Sequence, residues 1–235
     1  MEILKKIIKK LLPPIFFPEI FRECINYFIK GENKILYENN FYNRIAFINK
    51  AIAKFSKCNY LEIGVADNTT FSSIPLLLKN KIGVDPSDGG THRMTSDEFF
   101  NTNQKKFNVI FIDGLHIYEQ CQKDCINSLK FIEEDGIILF HDFLPQNYLQ
   151  EKVPRKSASW TGDVWKVAVE LSHSEDMDFR IANIDYGVGI LKPGKNAKYK
   201  KMPELNEMKF DDFLNKFYKN LPTVNSEEAI EFIEK

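Results

Sequence analysis

The chain is poor in cysteine, in net charge and in long apolar runs, and each shortage excludes something. Four cysteines (Cys24, Cys58, Cys121 and Cys125) in 235 residues are too few and too irregularly spaced for a disulfide framework or a zinc ribbon. They point to a reducing, cytoplasmic compartment. Thirty-two basic residues against thirty-three acidic ones, a formal net charge of -1, leave no overall positive field to hold a polyanion, which argues against nucleic acid as a partner. No apolar run approaches the roughly 18 residues of a membrane span, and no apolar segment of the signal-peptide kind follows the N-terminal lysines. Integral membrane association is therefore not expected. What is there is a chain of 43% hydrophobic residues, enough for one sizeable core, which implies one α/β domain with additions.

Near the N-terminus Ile3, Leu4, Ile7, Ile8, Leu11 and Leu12 recur at helical spacing, with Lys5, Lys6, Lys9 and Lys10 on the other face, until Pro13 and Pro14 break the run. Such a basic amphipathic helix packs its apolar stripe on the protein, joins two copies in a homo-oligomer, or lies on an anionic membrane surface; packing is the reading preferred here. Residues 1–40 read as an N-terminal helical cap, 41–195 as the main domain, and 196–235 as a lysine-rich connector, beginning near 192, with a C-terminal helical tail.

After a helix at about 41–56, apolar runs recur at NYLEIGV, KIGVD, NVIFID and GIILFHD, separated by stretches of helical period. Strands alternating with helices imply a Rossmann-like, doubly wound, mostly parallel sheet of six to seven strands. FRIANID and YGVGILKP, joined by a short connection around Asp185–Gly187, read as a reversed hairpin closing one edge.

In open α/β sheets ligands bind beyond the carboxyl ends of the strands. Beyond the first run stands Glu62-Ile63-Gly64-Val65-Ala66-Asp67-Asn68-Thr69-Thr70, where Gly64 lets a ligand approach the backbone and Asn68 or Thr69 can cap the next helix. Asp85 ends the second run about twenty residues later, where a carboxylate can accept both hydroxyls of a ribose. The glycine-rich turn that seats a pyrophosphate is missing, because Ala66 and Thr69 occupy its second and third glycine positions. A nucleoside cofactor without phosphates fits better than NAD, and S-adenosylmethionine is such a cofactor.

The blocks YLEIGVADNTTF, GVDPSDGGTHRMTSDEFF, FNVIFIDGLHIYEQCQKDCINSLKFIEEDGIILFHDFLP and WTGDVWK resemble the class I S-adenosylmethionine-dependent methyltransferases of the small bacterial type found with surface-polysaccharide genes. In the wider group they are similar to the metal-dependent macrolide-sugar O-methyltransferases and, more distantly, to catechol O-methyltransferase. The resemblance implies a sheet of about seven strands, with Ser96 and Asp97 near the adenine. Two departures stand out. Ala66 replaces a turn glycine, and only the 22 residues 86–107 separate Asp85 from the next run, so the usual third strand is expected to be very short or missing.

Two further runs end in acids, at Asp113 and at His141-Asp142. On adjacent strands these ends lie roughly 5 Å apart, close enough for Asp113 and Asp142 to share a small hard cation, Mg²⁺ or Mn²⁺. His141 is a third ligand or a supporting group, and an imidazole tilts the choice from magnesium toward manganese or iron. His116 follows Asp113 by three residues. In the resembling sugar methyltransferases a D-x-x-H element supplies a metal-ligand Asp and a general-base His, which Asp113 and His116 match, whereas the acid usually preceding the second strand-end Asp is His141 here. The chemistry explains the need: a sugar hydroxyl is a poor nucleophile at neutral pH, a divalent ion lowers its pKa, and an imidazole can take the proton. Trp160 is a candidate sugar platform on a loop long enough to be a lid, Asp163 and Lys166 are candidate acceptor contacts, and Cys121 and Cys125 read as core thiols.

The function expected is metal-assisted O-methylation of a sugar hydroxyl in cell-surface polysaccharide synthesis. Three alternatives stand beside it: a metal-independent small-molecule methyltransferase, an NAD-dependent oxidoreductase, and a non-catalytic S-adenosylmethionine-binding partner.

Overall fold

The computed structural model describes residues 32–235. The basic amphipathic stripe, with any oligomer it builds, and all of the expected N-terminal cap up to residue 31 lie outside the described residues. Residues 32–40 contain no helix. Among the described residues no helix is long and apolar enough to cross a membrane.

Seven strands form one sheet: β1 (Tyr60–Ile63), β2 (Lys81–Val84), β3 (Phe107–Ile112), β4 (Ile132–Phe140), β5 (Glu175–Ala182), β6 (Val188–Lys198) and β7 (Thr223–Val224), in the order β2-β1-β3-β4-β6-β5-β7. β6 runs antiparallel to both its neighbours, and the other pairings are parallel. This is the Rossmann-like sheet with one reversed hairpin that the sequence predicts. The central strands are mostly apolar because both faces are covered, with Glu62, Asn108 and the exposed start of β4 as exceptions. Alternate residues feed two cores. Leu61, Ile110, Ile112, Ile138 and Phe140 point to one, shared with helices α4 (Tyr118–Phe131) and α6 (Trp165–Ser172). Tyr60, Val109, Phe111, Ile137 and Leu139 point to the other, under α1 (Arg44–Ala53) and α7 (Ser226–Glu234). Cys121 and Cys125 are buried free thiols in the first of these cores, as their spacing predicts.

The third strand of the family pattern is absent. Between β2 and β3 the chain makes a single bridge, Val84 to His92, and then one helix, α3 (Ser96–Thr102), opened by a capping box of Thr95 and Glu98. The strand count reaches seven at the opposite edge, where β7 pairs with β5. Two sequence expectations are corrected here. The connector expected from residue 192 is largely strand, since β6 runs to Lys198, and the C-terminal tail contributes β7 as well as a helix. The stretch after Gly64 forms a single helical turn, α2 (Thr69–Ser72), ahead of Pro75.

Candidate active site

The in-phase register of the parallel strands fixes the site. Ile63 pairs with Ile112 and Ile112 with Phe140, so Gly64, Asp113 and His141 leave the sheet side by side. Gly64 has φ +83°, and a Cβ there would lie 2.1 Å from the Asp113 carbonyl oxygen, so no larger residue fits. Asp142 stands at φ +66° and Ala66 at φ +50°, left-handed conformations unusual outside glycine, of the kind that gather at functional sites.

Two adjoining cavities open at this end and share Gly64, Ala66, Asp67, Asp113 and His116. The larger, about 670 Å³, runs past Asp85, Ser87, Asp88, Ser96 and Gly114 to Gln120 and Asp124. The smaller, about 390 Å³, is lined by Arg44, Glu62, His141, Asp142, Ser159, Trp160 and Tyr186 among others.

In the smaller cavity Asp113, His141 and Asp142 each present one ligand atom, all within 4.8 Å of one another, and Asp113 borders the larger cavity as well. His141 Nδ1 lies 3.4 Å from Asp113 Oδ1 and 3.3 Å from Asp142 Oδ1. His116 reaches the same carboxylates, with Nε2 3.4 Å from Asp113 Oδ1 and Nδ1 3.1 Å from Asp142 Oδ2. Two carboxylates and an imidazole form a donor set suited to a divalent ion, so the residues fit the metal that the sequence predicts. The charges are mutually sustained. Burial penalises the Asp113 carboxylate, yet His141 and His116 beside it hold its pKa far below the usual range. Burial likewise works against charge on the two imidazoles, but the facing carboxylates prevail and raise both: Asp142 and Asp113 for His141, the Asp113 hydrogen bond foremost for His116.

Several predicted residues also have protein partners of their own. Asp85 spends both oxygens on backbone: Oδ2 accepts from the N–H groups of Val65 (3.1 Å) and Ala66 (3.0 Å), and Oδ1 from those of Ser87 (2.8 Å) and Asp88 (2.9 Å). Burial disfavours its charge, but these four donors outweigh that and lower its pKa. The carboxylate thus knots two loops together under the larger cavity. Asn68 caps no helix; its Oδ1 accepts from Gly90 N–H at 2.8 Å, and the Thr69 N–H is taken by Asp67. Thr69 borders the smaller cavity. Ser96 lines the larger cavity, while Asp97 stays on the surface beside Lys123. Glu62 borders the smaller cavity, its Oε2 accepting from the Tyr60 hydroxyl at 2.6 Å, and burial pushes its pKa up to about 8.

The expected acceptor contacts Asp163 and Lys166 turn inward. Asp163 Oδ1 accepts the Tyr118 N–H at 2.8 Å, capping α4, and Oδ2 holds the 1% exposed Lys166 ammonium at 2.8 Å. The Trp160 loop is pinned, since a Cβ on Gly162 would fall 1.7 Å from the His116 carbonyl oxygen. Its ring stacks on His116 and carries the Arg155 guanidinium at 5.9 Å. Arg44, Asp185 and Tyr186, which border or support the smaller cavity, carry no sequence signal that marks them as site residues; Asp185 reads in the sequence only as part of a turn.

Residues 83–143 match the family model described as a methyltransferase domain. No curated protein matches the chain. Among solved structures it is similar to cofactor-bound Rv0187 from MTB, at 9% identity and TM-score 0.50, covering 68% of this chain and 84% of that one. It is similar also to the O-methyltransferase from Bacillus cereus in complex with SAH (9% identity, TM-score 0.47, 81% and 96% covered). A further similar structure is the MycE methyltransferase of the mycinamycin biosynthetic pathway with Mg, SAH and mycinamycin VI (13% identity, TM-score 0.39, 63% and 48% covered). At such identities the likeness is one of fold. The matched segment spans Asp85, Asp113, His116, His141 and Asp142, and the sheet around it is Rossmann-like, seven-stranded and mostly parallel with one reversed hairpin.

Proposed function

We propose that the protein is an S-adenosylmethionine-dependent O-methyltransferase that methylates, with the help of a divalent ion, a hydroxyl of a sugar destined for a cell-surface polysaccharide. The observation that carries this reading is the convergence of Asp113, His141 and Asp142 in the smaller cavity, with Asp113 and the adjoining His116 shared with the larger one.

When bound, the cofactor supplies a sulfonium methyl and the ion a Lewis acid that acidifies the acceptor hydroxyl. Asp113, Asp142 and His141 would hold the ion. The larger cavity, floored by Gly64 and the Asp85 knot, takes the cofactor, with its nucleoside toward Ser96 and Gln120. The smaller one takes the acceptor, and its Arg44, Ser159 and Tyr186 side chains supply the polar and aromatic contacts a sugar uses. His116 Nδ1 lies against the Trp160 carbonyl oxygen and Asp142 and Nε2 against Asp113; with the Nδ1 proton given to the Trp160 oxygen, the shortest of these contacts, Nε2 is the nitrogen that would receive the proton of the acceptor hydroxyl.

The test is to incubate purified protein and methyl-labelled S-adenosylmethionine with a panel of nucleotide sugars, with and without a chelator. Label on a sugar oxygen that chelation abolishes supports the reading. Transfer that survives exhaustive chelation removes the metal from it, and cofactor binding without transfer to any hydroxyl acceptor removes the activity.

A further inference from the structure

The ring of His141 is 7% exposed and sandwiched between charges. Nδ1 faces Asp113 and Asp142, as described. Nε2 is fully buried and forms no hydrogen bond; Asp185 Oδ1 faces it at 3.4 Å. Asp185 sits in the β5–β6 connection, where Asp185, Tyr186 and Gly187 adopt three successive left-handed conformations (φ +43°, +61° and +87°). That turn is locked to the chain after β4 by the Phe143 and Leu144 N–H groups, which donate to Gly187 and Tyr186. Arg44, from the start of α1, clamps the same carboxylate: its backbone N–H donates to Oδ2 at 2.9 Å, and Nη1 lies 3.2 Å from Oδ1 and 3.0 Å from Oδ2. A strained turn and a helix start thus hold one carboxylate against the far nitrogen of an imidazole.

A neutral imidazole carries one proton, and the partner of one nitrogen decides which nitrogen keeps its lone pair. Asp185 is an acceptor only, so it favours the proton on Nε2 and leaves the Nδ1 lone pair for a cation that the two strand-end carboxylates would share. We propose that Asp185, clamped by Arg44, is a positioning residue that makes His141 a metal ligand through Nδ1. The arrangement is a carboxylate–histidine pair behind a cation site, in which the outer carboxylate fixes ring orientation and raises donor strength. This rests on the metal-assisted reading of the site.

The experiment titrates Mn²⁺ into the full chain, following loss of the free-ion paramagnetic signal, for the wild type, Asp185→Asn and Asp185→Ala. In parallel, long-range proton–nitrogen NMR reads the His141 tautomer in the Mg²⁺-loaded wild type. The expected result is an Nε2–H tautomer and a 10- to 100-fold weaker Mn²⁺ affinity in Asp185→Ala. Asp185→Asn, which retains a carbonyl acceptor, should fall between. Unchanged affinity in Asp185→Ala overturns the role of Asp185 and leaves the metal reading standing. Should the alanine variant fail to fold, an Nδ1–H tautomer in the loaded wild type overturns the proposal by itself. A wild type that binds neither ion overturns the metal reading and this proposal with it.

Discussion

His116 Nδ1 lies 2.8 Å from the backbone oxygen of Trp160, and the two rings stack with centroids 5.1 Å apart at 24°. One residue therefore holds the imidazole both by its edge and by its face. His116→Ala should keep cofactor and metal affinity yet lose roughly 10²- to 10⁴-fold in turnover, the usual size of a general-base contribution. Its residual rate should climb with pH as hydroxide replaces the missing base. Trp160→Ala keeps the backbone acceptor but loses the stack, together with the indole N–H bond to the Lys152 carbonyl oxygen and the Arg155 contact, so its turnover should fall between the two. Initial rates against pH for the three proteins check this, and a His116→Ala enzyme of normal turnover would return the residue to a structural role.

Asp142 contacts both histidines from a left-handed backbone position. Asp142→Ala should weaken Mg²⁺ and Mn²⁺ binding and lose activity that excess ion partly restores. Asp142→Gly, which relieves the backbone, should lose the metal while melting no lower than the alanine variant. Calorimetric metal titration and thermal melts separate the two effects.

Asp85 predicts a different pattern from that of a simple ribose ligand. With four backbone N–H donors on its carboxylate, Asp85→Ala strands the donors of two loops, and unfolding in urea should show a loss of about 1–3 kcal/mol without any ligand present. Weaker cofactor binding at unchanged stability would instead assign the carboxylate to the ribose.

Glu62 makes stability fall as pH rises. Its carboxyl ionises near its ordinary value in the unfolded chain but only at about 8 when folded, because burial disfavours the charge. Below the unfolded pKa both states are protonated and nothing is lost; between there and about 8 the folded state holds the extra proton, so stability declines with pH. Glu62→Gln can still accept from Tyr60 and carries no charge. Its melting temperature relative to wild type should therefore rise steadily from pH 5 to pH 8, and a pH-independent difference would contradict the assignment.

Much of the frame is legible in the sequence because strands buried on both faces read as unbroken apolar runs. Their shared register then puts Gly64, Asp113 and His141 in a row. The acids at the strand ends and the nearby His116 could be read for the same reason. What escaped depends on partners that sequence spacing does not carry. Arg44 and Asp185 are 141 residues apart and meet only because the reversed hairpin brings its turn to the mouth of β4. Asp163 and Lys166 look like surface charges at helical spacing, but α6 is buried nearly all round, so Lys166 turns back to Asp163 just ahead of the helix. The Asp85 carboxylate is claimed by backbone N–H groups, whose directions no residue type announces.

The absent third strand leaves β2 as the edge of the sheet on the side of the larger cavity. Only four residues long, it is covered by a loop held through the single Val84–His92 bridge and the side chains of Asp85, Asn68 and Thr91. A long ladder opens cooperatively, whereas one bridge and scattered side-chain ties open piecemeal. Local opening should accordingly be cheapest at residues 81–93 and dearest in β3 and β4, a gradient that amide hydrogen exchange would record as early labelling of the loop and late labelling of the central strands. A ligand seated against Asp88 and Gly64 would slow exchange chiefly in that loop. The half of the pocket proposed for the nucleoside would then be ordered by its own occupant, while the half proposed for the chemistry stays rigid throughout.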